Sequence, residues 1–290
     1  MSEQVCEADM GGDGAAGVDT YGYPVETTGN AVLDILEHRS STRAFARDDD
    51  GRPVAVADEQ RAAILHAASR APSAGAMMMY SIVSIREQAT LDRLADLCDH
   101  QPMIAKAPWA LIFVVDYAKW IDLFEHVGCF EPEFVGRTGK APRRAPGLGD
   151  FAIAAQDAVI AAQNAAVAAE ALGLGSCYIG DIVENAEEVA GLLDLPPYTM
   201  PLSMLIIGTP RKERPAIAHP VVNLVHEEHY RRADAETMDA QVAEMDAMFR
   251  PHAREVGERV IDIYTRKHTS PFMAEMSRSM EWWFKNWLGK

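Results

Sequence analysis

Between Phe151 and Gly175 the chain reads FAIAAQDAVIAAQNAAVAAEALGLG, with polar side chains at Gln156, Asp157, Gln163, Asn164 and Glu170 and almost nothing else but Ala, Val, Ile and Leu. Polar positions recurring at sevens fall on one narrow stripe of a helix, because a straight helix drifts only about 20° per heptad. The spacing predicts a helix roughly 35 Å long, apolar on three sides and therefore buried. Five polar residues argue against a membrane span. The alanines allow neighbouring helices to approach closely. The stripe is either satisfied inside the core or turned toward a ligand or the same helix of a second subunit.

Around this helix the periodicities alternate. Asn30 is placed to cap a helix with Val32, Leu33, Ile35 and Leu36 on one face, and a second helix from about Asp58 to Ala71 stops at the small-residue turn Pro72-Ser73-Ala74-Gly75-Ala76. Tyr80 to Ile85 predicts a strand, Thr90 to Leu97 a helix, and Trp109 to Val115 a central strand, apolar throughout. Ser176 to Gly180 predicts a short strand, Glu184 to Leu193 an acidic amphipathic helix, and Leu202 to Ile207 a strand ending at Gly208-Thr209-Pro210. The alternation suggests a layered α/β domain. Asp116 to Asp150, rich in Gly and Pro, predicts an irregular lid or insertion. From Asp234 the pattern is helical with breaks near Pro251 and Pro271. Trp282, Trp283 and Trp287 in the last helix must be covered by a second subunit or by the chain's own core.

Among 290 residues, 43 acidic against 27 basic give a net charge of −16, which argues against nucleic acid or an anionic membrane as partner. Cys6, Cys98, Cys129 and Cys177 lie far apart, so neither a zinc site nor a disulfide framework is indicated, and a reducing cytosol fits. Residues 1–28 are acidic and Gly-rich, predicting a mobile N-terminal tail with no secretory leader and, overall, a soluble cytoplasmic protein. His226-Glu227-Glu228-His229 sets its histidines three apart where a zinc-protease helix needs four, and Asp48-Asp49-Asp50-Gly51 lacks the later ligands of a calcium loop, so no metal is assigned. Gly-x-Ser-x-Gly and a Walker loop are absent from the sequence, and no dinucleotide fingerprint Gly-x-Gly-x-x-Gly follows the first predicted strand. What remains is a phosphate-friendly cluster at Arg39, Ser40, Ser41 and Arg43, the turn from Ser73 to Ala76, and glycine-rich strand ends. Together these suit a cofactor that brings its own reactivity.

This combination resembles the FMN-dependent nitroreductase and flavin reductase family, in particular its NADPH-nitroreductase branch with a C-terminal helical arm. The carriers are Arg39-Ser40-Ser41-Thr42-Arg43-Ala44-Phe45, Ala71-Pro72-Ser73, Ala162-Gln163-Asn164 and the run from Glu170 through Gly175 to Tyr178-Ile179-Gly180, with Val225-His226-Glu227 and Tyr230 later. The resemblance implies an α+β fold with a mostly antiparallel central sheet flanked by helices, built as an intertwined homodimer with FMN at the interface. It implies an FMN-binding nitroreductase-like domain over 29–232, with 116–150 as lid or insertion, and a C-terminal helical arm over 233–290.

The activity implied is hydride transfer from NADPH or NADH through flavin N5 to a nitroaromatic, quinone or flavin acceptor by a ping-pong mechanism. Alternatives are a flavin-binding or redox-sensing protein of low turnover, and a specialised enone or dehalogenating reductase of the same fold. By the same resemblance Arg39, Ser40, Ser41 and Arg43 hold the phosphate, ribityl chain and pyrimidine edge. Ser73, Ala74 and Gly75 come from the other subunit, Gln101 contacts the ring, the backbone of Ile179, Gly180 and Asp181 approaches N5, and Tyr178 is a further cofactor-binding residue. The chain departs from the family at Ala76 with Met77-Met78-Met79, and at Ala216 and Ala218, where relatives carry a Lys-x-Arg phosphate pair. Lys212 or Arg214 stands close enough in sequence to replace that pair.

Overall fold

Strand β4, Trp109–Asp116, is buried along its whole length. Trp109, Leu111, Phe113 and Val115 join one apolar cluster while Ala110, Ile112 and Val114 join another, so the sheet has a core on each face, as period-two geometry requires. This computed structural model describes residues 17–18, 24–25, 28–139, 144–212, 223–250, 252 and 254–289. β4 pairs with Tyr80–Ile85 (β3) and Thr199–Gly208 (β6), and β6 pairs with Gly175–Ile179 (β5). The order is β3-β4-β6-β5 and every pairing is antiparallel. The α/β layering suggested by the alternation is thereby corrected to the α+β arrangement implied by the resemblance. The β3–β4 and β5–β6 connections return the chain beside its predecessor in the opposite direction, and β5, which runs the same way as β4, is separated from it by the antiparallel β6. The β4–β6 register shifts between Phe113, opposite Ser203, and Val114, opposite Pro201. The bulge falls where Pro201 has no N–H to give to a ladder.

Asn30 caps Ala31–His38 (α1) as expected, its Oδ1 accepting from Val32 N (3.0 Å) and Leu33 N (3.3 Å). Asp58–Ser69 (α2), Gln88–Leu97 (α3) and Pro102–Ala105 (α4) follow. Within the stretch expected to be irregular, the chain forms two helices, Ala118–His126 (α5) and Pro132–Thr138 (α6). The glycines and prolines that suggested a loop are here helix punctuation: Pro132 opens α6 and Gly139 closes it in the left-handed region at φ 62°. Gly17–Val18 (β1) and Pro24–Val25 (β2) form a short antiparallel pair inside the expected tail.

The long predicted helix spans Leu148–Ala171 (α7), and it packs against α2, β4 and β6. It is long and apolar enough to cross a membrane by length and composition. Its alanine face, however, from Ala154 through Ala158, Ala161, Ala162, Ala165 and Ala166 to Ala169, is buried against the sheet of the same chain. Those small residues therefore serve packing within one chain. The face left open carries Ile153 (45% exposed), Val159 (49%) and Ile160 (39%).

Ala186–Leu192 (α8), Ala235–Phe249 (α9), Glu258–Ile263 (α10), continued by a π-helical turn over Tyr264–His268, and Pro271–Trp287 (α11) complete the chain. α9 and α10 pack on each other. α11 packs on α8 and the sheet of its own chain, with Trp283 and Trp287 fully buried, one in each apolar cluster.

Candidate functional site

The segment after α1 is stitched across the ends of two strands. Ser41 bridges Ser176 in parallel, Thr42 N donates to Ser176 O (2.8 Å), Ala46 N to Thr209 O (2.8 Å), and Arg211 N to Ala44 O (3.0 Å). Such close approach needs glycine at both strand ends. A Cβ on Gly175 would stand 2.0 Å from Thr42 Oγ1, and one on Gly208 would stand 2.7 Å from Phe45. Ser40 and Thr42 are buried by this stitching, and Arg39, Ser41 and Arg43 gather around Cys177. Burial pushes the Cys177 thiol up, while Arg43, a hydrogen bond with Ser41, and Arg39 pull it down. A cavity of about 680 Å³ opens beside this segment, with Arg39, Arg211, Lys212 and His38 among its walls, and Asp34 and Glu170 opposing them. Its size lies in the range of small-molecule sites.

Gln101 and Asp181, placed separately by sequence, meet: Gln101 Nε2 donates to Asp181 Oδ2. Asp181 belongs to the 3₁₀ turn Gly180–Val183 that follows β5. Nothing lies within 4 Å of where a Cβ on Gly180 would stand, so the backbone there faces open space. Ile179 is buried in the core, and Tyr178 OH donates to Gln163 Oε1 (3.2 Å). Desolvation pushes the Tyr178 phenol up to about 12, with Arg39 opposing.

Ser73, Ala74 and Gly75 form the third predicted element, and the structure places it elsewhere. Ala74–Ala76 is a 3₁₀ turn in which Gly75, Ala76 and then Met78 have φ of 57°, 55° and 50°. Ala74 N (3.0 Å) and Met79 N (3.3 Å) both donate to the carboxylate of Asp157 on α7, and Trp120 Nε1 donates to Met77 O (2.9 Å). Asp157 lies thirteen residues before Glu170, the α7 residue in the cavity wall. At the helical rise that places the turn and the cavity about 20 Å apart along the same helix. Arg214, Ala216 and Ala218 lie outside the described residues, and Lys212 is in the cavity wall.

Sequence reasoning did not assign Asp157 its work on the turn, nor Arg211 its place beside Arg39. Asp157 was visible as a polar break in an alanine-rich helix, and Arg211 as part of a basic loop after a strand.

A model of the nitroreductase family matches residues 36–209. The chain belongs to the nitroreductase family. It is 31% identical over 215 residues to the FMN reductase [NAD(P)H] of Bacillus subtilis, covering 73% of this chain and 79% of that protein. To the oxygen-insensitive NADPH nitroreductase of Salmonella typhimurium it is 31% identical over 219 residues, covering 73% and 81%. Among solved structures, the hypothetical oxidoreductase YcnD from Bacillus subtilis superposes with a TM-score of 0.71 at 25% identity, over 88% of this chain and 97% of that one. This nitroreductase-family chain thus shares the antiparallel sheet flanked by helices across most of its length.

Proposed function

We propose that this protein is an FMN-dependent oxidoreductase that takes hydride from NADPH or NADH and passes it to a nitroaromatic, quinone or flavin acceptor by a ping-pong mechanism. The observation that carries the reading is the stitching of Arg39–Arg43 to the β5 edge, with a cationic cavity on one side and an open Gly180 at the end of the same strand. FMN needs those features: cations for a phosphate and uncrowded backbone for a flat ring. Arg39 and Arg43, with Ser40, Ser41, Arg211 and Lys212, would hold the phosphate and ribityl chain. The planar guanidinium of arginine matches phosphate with paired, charge-assisted hydrogen bonds. The Gln101–Asp181 pair would meet the polar edge of the ring, while the Ile179–Gly180 backbone lines its face. Bound there, FMN supplies the capacity to accept and release hydride, and the protein's part is binding, orientation and electrostatics.

The homodimer belongs to the same reading. α1 has an apolar face yet buries none of its residues, leaving Val32, Leu33 and Leu36 exposed, and it packs on α7, whose own open face carries Ile153, Val159 and Ile160. An uncovered apolar surface spread over two helices calls for a partner, and a second copy would also bring its Ser73–Gly75 turn to this chain's Arg39 segment. A cytoplasmic location accords with this reading. Purified protein should absorb near about 450 nm and release FMN on denaturation. A colourless protein that takes up no FMN on titration overturns the proposal.

A further inference from the structure

Glu184 closes the turn that follows β5, its N–H donating to Asp181 O (3.0 Å). Its side chain is buried, the residue being 3% exposed, and Oε1 has no hydrogen-bond partner. The backbone around it is held on every side. Val183 O accepts from Trp283 Nε1 (2.9 Å), and Asn185, left-handed at φ 46°, donates its N–H to Glu275 Oε1 (3.2 Å) and its Nδ2 to Leu97 O (2.8 Å). Ala186 N donates to Ser279 Oγ (3.2 Å), which in turn donates to Glu275 (2.7 Å).

The charged and titratable groups around Glu184 are mostly acidic. Asp181 faces it from its own turn, Asp99 and Cys98 from the α3–α4 connection, and Glu275 from α11. Arg278 on α11 is engaged by Glu275 and Glu187, and Arg93 on α3 pairs with Glu188 of α8. Burial, then Asp181, Asp99 and Glu275, push the Glu184 carboxyl up to about 7, against one hydrogen bond from the Asp99 backbone. The four acids are not arranged as a cation cage: among the described residues no group of His, Cys, Asp and Glu is placed to hold a metal. A buried carboxyl with an unpaired oxygen is comfortable only when it carries a proton.

We propose that Glu184 is a positioning residue whose protonation state sets the geometry of the Gly180–Asn185 turn, and through Asp181 the orientation of the Gln101 amide at the flavin ring. The inference rests on the FMN reading for its last step. While protonated, Glu184 sits beside Asp181 without repulsion and the turn keeps the Gln101–Asp181 hydrogen bond. On ionisation, a buried negative charge enters next to the half-buried Asp181, and the turn must open or the pair must part. FMN binding and proton binding at Glu184 are then coupled, each favouring the other.

The test uses the full-length apoprotein as wild type, Glu184→Gln and Asp99→Asn, with FMN affinity and urea stability measured from about pH 5.5 to about pH 8.5. For a carboxyl raised from 4.5 to about 7 on folding, the stabilising proton is fully present below about pH 4.5 and is lost as the pH rises through about 7. Wild type is expected to lose stability, and about fivefold in FMN affinity, across neutrality. Glu184→Gln should lose neither, apart from the phosphate's own ionisation, which is common to all three proteins. Asp99 is exposed and left-handed at φ 52°, a conformation asparagine accepts, so Asp99→Asn should fold and move the step to lower pH. The same step in Glu184→Gln as in wild type overturns the proposal, as does an unmoved step in Asp99→Asn should the first variant fail to fold. Wild type that binds FMN with no step overturns this proposal alone. Failure to bind FMN at any pH, with the stability step present, overturns the flavin reading and the link to Gln101 with it.

Discussion

Asp157 holds the Ser73–Met79 turn with both of its carboxylate oxygens, Oδ1 accepting from Ala74 N at 3.0 Å and Oδ2 from Met79 N at 3.3 Å. Three residues of that turn have positive φ, two of them not glycine, a conformation that costs energy and persists only where surroundings enforce it. Hydrogen bonds to a charged group contribute about 1.5–3 kcal/mol each. Asp157→Ala is therefore expected to destabilise by about 3 kcal/mol, and Asp157→Asn by about half as much, since an amide offers one oxygen to two donors. Urea denaturation of both variants checks the order; equal losses would show that shape, not the paired acceptors, holds the turn.

Much of this was legible in the sequence, for reasons that differ by residue. β4 and α7 were clear because each carries one unbroken pattern over many residues. The Arg39–Arg43 cluster was clear because cations beside hydroxyls have few structural uses on their own. α5 and α6 were hidden because short helices bounded by Gly128, Pro132 and Gly139 look locally like loop. The alanines of α7 suggested a closely approaching helix, yet small residues favour close packing equally against the chain's own sheet. Periodicity names a face without naming its neighbour. Glu184 read as the start of an acidic helix, because burial of a lone carboxyl depends on what α11 brings from ninety residues away.

The dimer prediction follows from which face of α7 is buried and which is open. Ile160→Glu, on the open face of α7, should yield a folded monomer that has lost FMN affinity, whereas Ala162→Glu puts a charge into the chain's own core and should fail to fold. Sedimentation and circular dichroism separate the two outcomes. A folded Ile160→Glu monomer holding stoichiometric FMN would rule out a site shared between subunits.

The phosphate cradle can be dissected by comparing two ligands. Lys212→Ala and Arg39→Ala should each weaken FMN about tenfold, a loss of about 1.4 kcal/mol, and leave riboflavin unchanged because it lacks the phosphate. Arg214→Ala in the same titration reveals whether that residue shares the load. Unaltered FMN affinity in Lys212→Ala would mean that the cavity beside Arg39 is not where the phosphate lies.

At the start of α7, Arg144 pairs with Asp150 (2.6 Å), and Asp150 also accepts from Gly147 N (2.8 Å). The Arg144 hydrogen bond, more than offsetting burial, holds the Asp150 carboxyl below its ordinary range. A lowered carboxylate stabilises above its unfolded value of about 3.8 and loses that contribution as pH falls through the lower folded value. Asp150→Asn should thus be less stable than wild type at pH 7, with the gap closing below about pH 4. Denaturation at both pH values checks it, and a gap that persists in acid points to lost packing instead.

Trp283 and Trp287 reach opposite faces of the sheet from one helix, Nε1 of the first donating to Val183 O (2.9 Å) and of the second to Gly147 O (3.1 Å). Both are synthesised well after the last strand of the sheet, β6, ends at Gly208. During synthesis these two indoles are therefore added when the strands of the sheet have already left the ribosomal tunnel. The nascent chain must wait with two unfilled apolar holes, exposed to chaperones and to other nascent chains, until α11 emerges. A ribosome stalled between Gly208 and Trp283 would prolong that interval, while an addition before β1 would leave it unchanged.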